Sequence, residues 1–231
     1  SAGKRVVVEG ICSHFASAEQ VENQDATEQQ ERLLREACAH VEARGYAPRW
    51  RHIACSAAIW LRAPGSWNAV RLGISLYGIW SSAGVAEVAT QQHSALVLTP
   101  ALTWKTIVAE VKSVPNGAAI GYGGTERVTR ATRLAVLPIG YADGFDRRLS
   151  SRGEVLIRGA RCRVVGRVCM NMCMVDVTDV PEVCVEDEVV LYGSQGSERV
   201  SPQDTERQLA NFIAYEAVAR LRADIPRLLV A

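Results

Sequence analysis

A few short stretches carry side chains whose types could do chemistry. Gly121-Tyr122-Gly123-Gly124 sets a phenol in a glycine-rich turn, which exposes the side chain and lets other backbone approach closely. Tyr141-Ala142-Asp143-Gly144 has the make-up of a turn with an Asx hydrogen bond and a glycine at positive φ. His14 follows the first short apolar run and His52 lies near the end of the second expected strand, and imidazole is the commonest general acid–base group. Taken singly, each of these also fits a plain structural turn or a satisfied structural histidine. Arg71 is harder to dismiss, because it interrupts the apolar run Ala69-Val70-Arg71-Leu72-Gly73-Ile74. A buried guanidinium is costly unless paired, and the C-terminal end of a parallel strand is where α/β barrels place their sites. Cys169 and Cys173 form a C-x3-C, but no histidine or second cysteine pair lies nearby in sequence, so the spacing reads as structural thiols and not as a metal site.

The elements that must position these residues change character along the chain. Arg5–Ile11 reads as a buried strand, and a helix is expected over Glu28–Arg44. Thr27-x-x-Gln30 is a candidate capping box for that helix, and Gly45 is its stop. A second strand ends near Ile53, Ser56 opens a helix, and Ala69–Ser75 reads as a third strand. This rhythm implies βαβ units with a parallel sheet. From about Gln92, short strands are expected at Ala101–Val114, Arg133–Leu137, Glu154–Ile157, Arg161–Val168, Met172–Val177 and Glu188–Tyr192. Turn signals every eight to twelve residues point to an antiparallel, barrel-like domain. Ser201-Pro202 opens a helix, and another is expected over Phe212–Arg222. The fold class is α/β plus mainly β: a partial (β/α) barrel over residues 1–91, then an antiparallel β domain over 92–231. Two or three βα units cannot close an eight-stranded barrel, so the first part requires completion.

Composition narrows the function. Twenty-six Lys and Arg against 25 Asp and Glu give a net charge of +1 over 231 residues, which gives no support for nucleic-acid binding. No run approaches the ~20 apolar residues of a membrane span. Seven irregularly spaced cysteines argue against a disulfide framework and for a reducing, cytoplasmic setting. The chain opens at Ser1 and is apolar almost at once, which reads as a start inside a fold.

The order of the motifs is more specific than any one of them. Gly10–Ser17, His52–Ser56, Arg71–Gly78, Pro100–Leu102, Gly121–Gly123, Leu137–Gly144, Gly166–Met172, Tyr215-Glu216 and Pro226-Arg227 together resemble the alanine racemase family. The resemblance implies a pyridoxal 5′-phosphate enzyme with an N-terminal α/β barrel and a C-terminal β domain, working as a homodimer on alanine. By resemblance, Tyr122 is the catalytic tyrosine, supplied across the dimer, and His14 is its hydrogen-bonding partner. Arg71 faces the cofactor's ring nitrogen. Ser56, the backbone of Gly73 and Ile74, and Tyr215 form the phosphate cradle. Met170 helps hold the substrate carboxylate, again across the dimer, and Tyr141 is an entrance-corridor tyrosine.

The family chemistry fits these types. Racemisation removes a proton from one face of the α-carbon and returns one to the other, so it needs two bases. A tyrosine with a free pKa of about 10 needs positive neighbours to serve as one, and His14 and Arg71 would supply them. The family's second base is a lysine that forms a Schiff base with the cofactor, in an Ala-Val-x-Lys-like motif absent from this sequence. The only lysines are Lys4, Lys105 and Lys112, so the covalent lysine is not present and the chain is expected to be inactive alone. The arginine preceding the His14 block is also absent, Cys55 stands where asparagine is usual, and Asn171 where aspartate is common. A serine or broad-specificity racemase, and a non-catalytic β-domain module for oligomerisation or ligand binding, stay open as alternatives.

Overall fold

The computed structural model describes residues 7–63 and 65–230. The chain divides into two compact units, 1–101 and 102–231.

The first unit is mixed α/β. Strand β1 (Gly10–Cys12) lies parallel to β2 (Trp50–His52), with Cys12 opposite His52. Helix α1 (Asp25–Glu42) connects them and ends before Gly45, whose φ of +82° suits the chain reversal. Helices α2 (Ser56–Leu61) and α3 (Ala83–Gln92) follow. Phe15, Leu34, Cys38, Ile53, Ala57 and Val85 form the apolar centre of this unit.

Three expectations are corrected here. Arg5 and Val6, at the head of the first expected strand, lie outside the described residues; the strand itself covers only Gly10–Cys12. Helix α1 starts at Asp25, three residues early, with Gln24 at the N-cap and no side-chain cap. Thr27 is therefore inside the helix and fully buried. Gln30 does not close a capping box either. Its Oε1 accepts the Ala16 N–H at 3.0 Å and its Nε2 donates to the His14 carbonyl at 3.4 Å, bracing the loop that carries His14.

The third correction concerns Ala69–Ser75, which forms no strand. Residues 68–71 run beside β2 through only two backbone bonds, Asn68 N–H to Arg51 O and Arg71 N–H to Ala54 O. The Asn68 side-chain carbonyl takes the Arg51 N–H at 2.8 Å, standing in for the backbone carbonyl a parallel ladder would use. The chain then turns into a 3-10 turn at Ile74–Tyr77.

The second unit is mainly antiparallel β. Its strands are β3 (Trp104–Ile107), β4 (Glu110–Val114), β5 (Ala119–Ile120), β6 (Glu126–Arg127), β7 (Thr132–Leu137), β8 (Glu154–Ile157), β9 (Ala160–Arg163), β10 (Cys173–Asp176), β11 (Glu188–Gln195) and β12 (Glu198–Val200). The expected strand over Ala101–Val114 is thus two strands in different sheets. β4 joins β7 and β10, whereas β3 pairs with β11, which also pairs with β8 and β12. A bridge between Val164 and Val175 ties the end of β9 to β10.

Strand β7 places Leu134, Ala135 and Leu137 in the interior, and β11 does the same with Val189 to Leu191. Trp104 meets Phe145 edge-on at 6.2 Å in the same core. Helix α4 (Pro202–Gln208) has a capping box in which Ser201 and Asp204 satisfy each other's N–H groups, with Pro202 at the first position as its type favours. Helix α5 (Ala214–Ala219) is shorter than the expected Phe212–Arg222.

Candidate active site

Apart from Tyr215 and His52, the residues singled out by sequence fall into three groups. Two are in the first unit, and one is in the second.

The first group is Arg71 with His14. The Arg71 guanidinium lies 2.9 Å from His14 Nδ1 and also donates to the Ser13 carbonyl. Arg71 is exposed and sits in a loop, so the expected buried guanidinium within a strand is corrected. What fixes it is local: its own N–H is held by Ala54 O, and its side chain spans to the loop after β1. Arginine can only donate, so His14 Nδ1 must be the acceptor and the ring proton sits on Nε2. That tautomer presents an N–H outward, beside a permanent positive charge.

The second group is Ser56 with the turn Gly73–Ser75. Ser56 is buried at the first position of α2, and its Oγ accepts the N–H groups of Gly73 at 2.9 Å and Ser75 at 3.4 Å. A serine hydroxyl accepts two bonds and donates one. With both acceptor positions used, its hydrogen is left to donate. Ile74 opens the 3-10 turn, so its N–H lies ahead of the turn's own bonds. Trp60 Nε1 donates to Ser75 Oγ at 3.0 Å and steadies the turn from behind. One hydroxyl donor beside turn N–H groups is the equipment of an anion cradle.

The third group is Tyr122, Tyr141 and Met170, which together line an open groove of about 590 Å³ in the second unit. Tyr122 is 77% exposed on a 3-10 turn. Sequence reading did not single out Arg147 and Arg167, which line the same groove. Their signal was available: Arg147 follows the Tyr141 motif by three residues, and Arg167 sits inside the Gly166–Met172 block.

The Tyr141 motif does form the expected turn. Asp143 Oδ2 accepts the Gly140 N–H at 2.9 Å, Arg222 pairs with Asp143 Oδ1 at 3.0 Å, and Gly144 has φ of +107°. Tyr141 N–H and Ala142 N–H donate to the carbonyls of Cys169 and Met170, both at 3.0 Å. Tyr215 is on α5, apart from this groove lining. Cys173 is buried, and burial pushes its thiol up to about 12. Among the described residues, no group of three or more metal-ligating side chains comes together.

An α/β unit with an arginine–imidazole contact and an anion cradle, followed by a β unit with exposed tyrosines, defines a two-unit protein whose side chains suit proton transfer. Comparison with known proteins makes the class specific. Residues 1–81 match the family model for the alanine racemase N-terminal domain, and residues 101–229 match that for the C-terminal domain. The chain belongs to the alanine racemase family, whose members are pyridoxal-phosphate-dependent isomerases.

The alanine racemase of Leptospira interrogans is 35% identical over 97% of this chain and 58% of its own length. That of Symbiobacterium thermophilum is 43% identical over 96% and 56%. Among solved structures, alanine racemase from Streptomyces lavendulae matches with a TM-score of 0.86 at 33% identity, over 97% of this chain and 57% of that one. The Bacillus anthracis enzyme, solved with bound L-Ala-P, gives 0.85 at 34% over 96% and 55%. The chain therefore spans a little over half the length of these relatives. A match in both units disfavours the reading of an isolated β-domain module.

Proposed function

We propose that this chain is the portion of an alanine racemase that carries the tyrosine base and one side of the pyridoxal 5′-phosphate site, and that by itself it does not racemise alanine. In this reading β1 and β2 are two strands of a (β/α) barrel. Tyr122 and Met170 serve the site of the other subunit in a cytoplasmic homodimer, and the product is D-alanine for peptidoglycan.

The observation that carries the reading is the contact of Arg71 with His14 Nδ1. It sets the tautomer in which His14 Nε2–H is left to donate. We read its acceptor as the phenolic oxygen of a Tyr122 supplied by the other subunit, the group that would exchange a proton at one face of the α-carbon. The Arg71 contact keeps the imidazole from turning over.

The residues present fit the cofactor at two ends. Ser56 Oγ–H and the Gly73–Ile74 turn suit its phosphate, and the Arg71 guanidinium suits its ring nitrogen. Bound there, the cofactor supplies the electron sink that makes the α-C–H acidic. The covalent anchor does not fit: Lys105 is paired with Glu188 at 2.7 Å and Lys112 with Glu110 at 3.7 Å, both in the second unit. Lys4 lies outside the described residues.

The test is complementation. With L-alanine and pyridoxal phosphate, the chain alone gives no D-alanine, whereas mixing it with the lysine-bearing half of the Symbiobacterium relative does. Tyr122→Phe lowers that complemented rate by about 10²–10⁴-fold, the worth of a positioned base. D-alanine from the chain alone, or a complemented Tyr122→Phe as fast as the parent, overturns the reading.

A further inference from the structure

We infer that Glu126 is a positioning residue that clamps the Tyr122 turn to the loop carrying Met170. The inference deepens the reading of Tyr122 as a base, but the clamp itself is a property of the second unit and is tested separately.

The Tyr122 turn closes on a backbone bond from Gly124 N–H to Gly121 O at 3.1 Å and is rich in glycine. Gly121, Gly123 and Gly124 sit at φ of +72°, +79° and +56°. Glycines lose more freedom on ordering than any other residue. The hairpin that frames the turn is short: it pairs Ala119 with Arg127 and Ile120 with Glu126, continues through the backbone bonds of Val128 with Gly117 and Ala118, and buries Ile120. Tyr122 itself points into solvent and is not anchored by burial.

What fixes the turn is a close approach of two backbones. A Cβ on Gly166 would fall 2.8 Å from Ile120 O, and one on Gly121 would fall 3.1 Å from Arg167 N. Glu126 spans this junction. Its Oε2 accepts the Gly166 N–H at 2.7 Å, and its Oε1 accepts from Arg163 Nη2 at 2.7 Å.

The bonds then close on themselves. Arg163 Nη1 donates to Ser151 O at 3.1 Å, and Ser151 N–H donates to Gly166 O at 3.0 Å. Ser151 is held at φ of +59°, a conformation L-residues seldom adopt. Both polar groups of Gly166 are thus taken, one by Glu126 and one by Ser151.

From Gly166 the frame continues to the groove. Val168 N–H donates to Ser150 Oγ at 3.0 Å, and the carbonyls of Cys169 and Met170 receive the Tyr141 and Ala142 N–H groups. Burial pushes the Glu126 carboxyl up, but the bonds from Arg163, Ser151 and Gly166 outweigh it and hold the group below its ordinary range. The clamp is therefore charged at neutral pH.

The test uses the full chain labelled with 3-fluorotyrosine, whose six tyrosines give six fluorine NMR signals. Tyr122→Phe identifies the Tyr122 signal. In Glu126→Ala that signal shifts or splits and the Gly166 amide exchanges at least tenfold faster, while the signal of core Tyr192 keeps its position. Glu126→Gln, whose amide oxygen can still accept the Gly166 N–H, restores the Tyr122 signal. An unmoved Tyr122 signal in Glu126→Ala, a Tyr192 signal that moves with it, or no rescue by Gln overturns the inference. These signals need no cofactor or activity, so a failed clamp and a failed racemase reading are told apart.

Discussion

Ser56→Ala removes the hydroxyl oxygen that takes two N–H groups of the Gly73–Ser75 turn, and the structure sets the size of the loss. Two N–H groups lose their acceptor, Gly73 at 2.9 Å and Ser75 at 3.4 Å. Gly73 is exposed and water replaces its bond, leaving a net cost near the usual ~1 kcal/mol per hydrogen bond. Ser75 is buried, so its N–H is left unsatisfied; because that bond was already long, we assign about another 1 kcal/mol. Alanine is a good helix former and gives a little back at the first position of α2.

The sum is about 1.5–2 kcal/mol, and with a urea slope near 2 kcal/mol/M the midpoint falls by about 0.8–1 M. Tryptophan fluorescence reads it, because Trp50, Trp60, Trp67 and Trp80 all lie in the first unit and Trp60 donates directly to Ser75. A midpoint within about 0.2 M of wild type would show that the turn is held by other contacts and refute the reasoning.

Two further outcomes follow from the second unit. Gly140→Ala has no backbone strain at φ of −151°, yet its Cβ would sit 2.2 Å from Cys169 O and 2.4 Å from Met170 O. The 140–142 and 169–170 segments must part, which costs about 1–3 kcal/mol as overpacking and lowers the Tm seen by calorimetry; an unchanged Tm would contradict the packing described. Asp187 is held at about 2 by its bonds with Arg158 and the Cys184 N–H, below its ordinary 3.8. A depressed folded pKa gives stability that is present above 3.8 and fades as pH falls through about 2. The gap in urea midpoint between wild type and Asp187→Asn is therefore full at pH 6 and narrows below pH 3.8, and a gap constant from pH 6 to 2 would count against it.

The second unit was legible because its information is local. Short apolar runs between turn signals mark β7, β8 and β11, and Ser201-Pro202 marks the start of α4. The first unit was less legible where side chains replace backbone partners. Ala69–Ser75 read as an apolar strand, and the Asn68 carboxamide just ahead of it instead takes the Arg51 N–H beside β2. Gln30 had the spacing of a capping box, but its amide is spent on the His14 loop, fourteen and sixteen residues earlier at Ala16 and His14. Neither long-range use has a sequence period to betray it. Arg71 was suspected because burial would force a partner on it, and it contacts His14 while exposed. Glu126 passed unnoticed, since a glutamate on a two-residue strand has no pattern at all.

The groove in the second unit is held by main-chain atoms at the points that matter. Cys169 and Met170 are fixed through their carbonyls, and Tyr141 and Ala142 through their N–H groups. At Cys169 and Met170 such a frame does not depend on which side chains it carries, because their carbonyls make the bonds. Replacements at positions 169 and 170 can repaint the wall of the groove while its outline stays put, and these two positions are where an engineer could alter selectivity at little risk to folding.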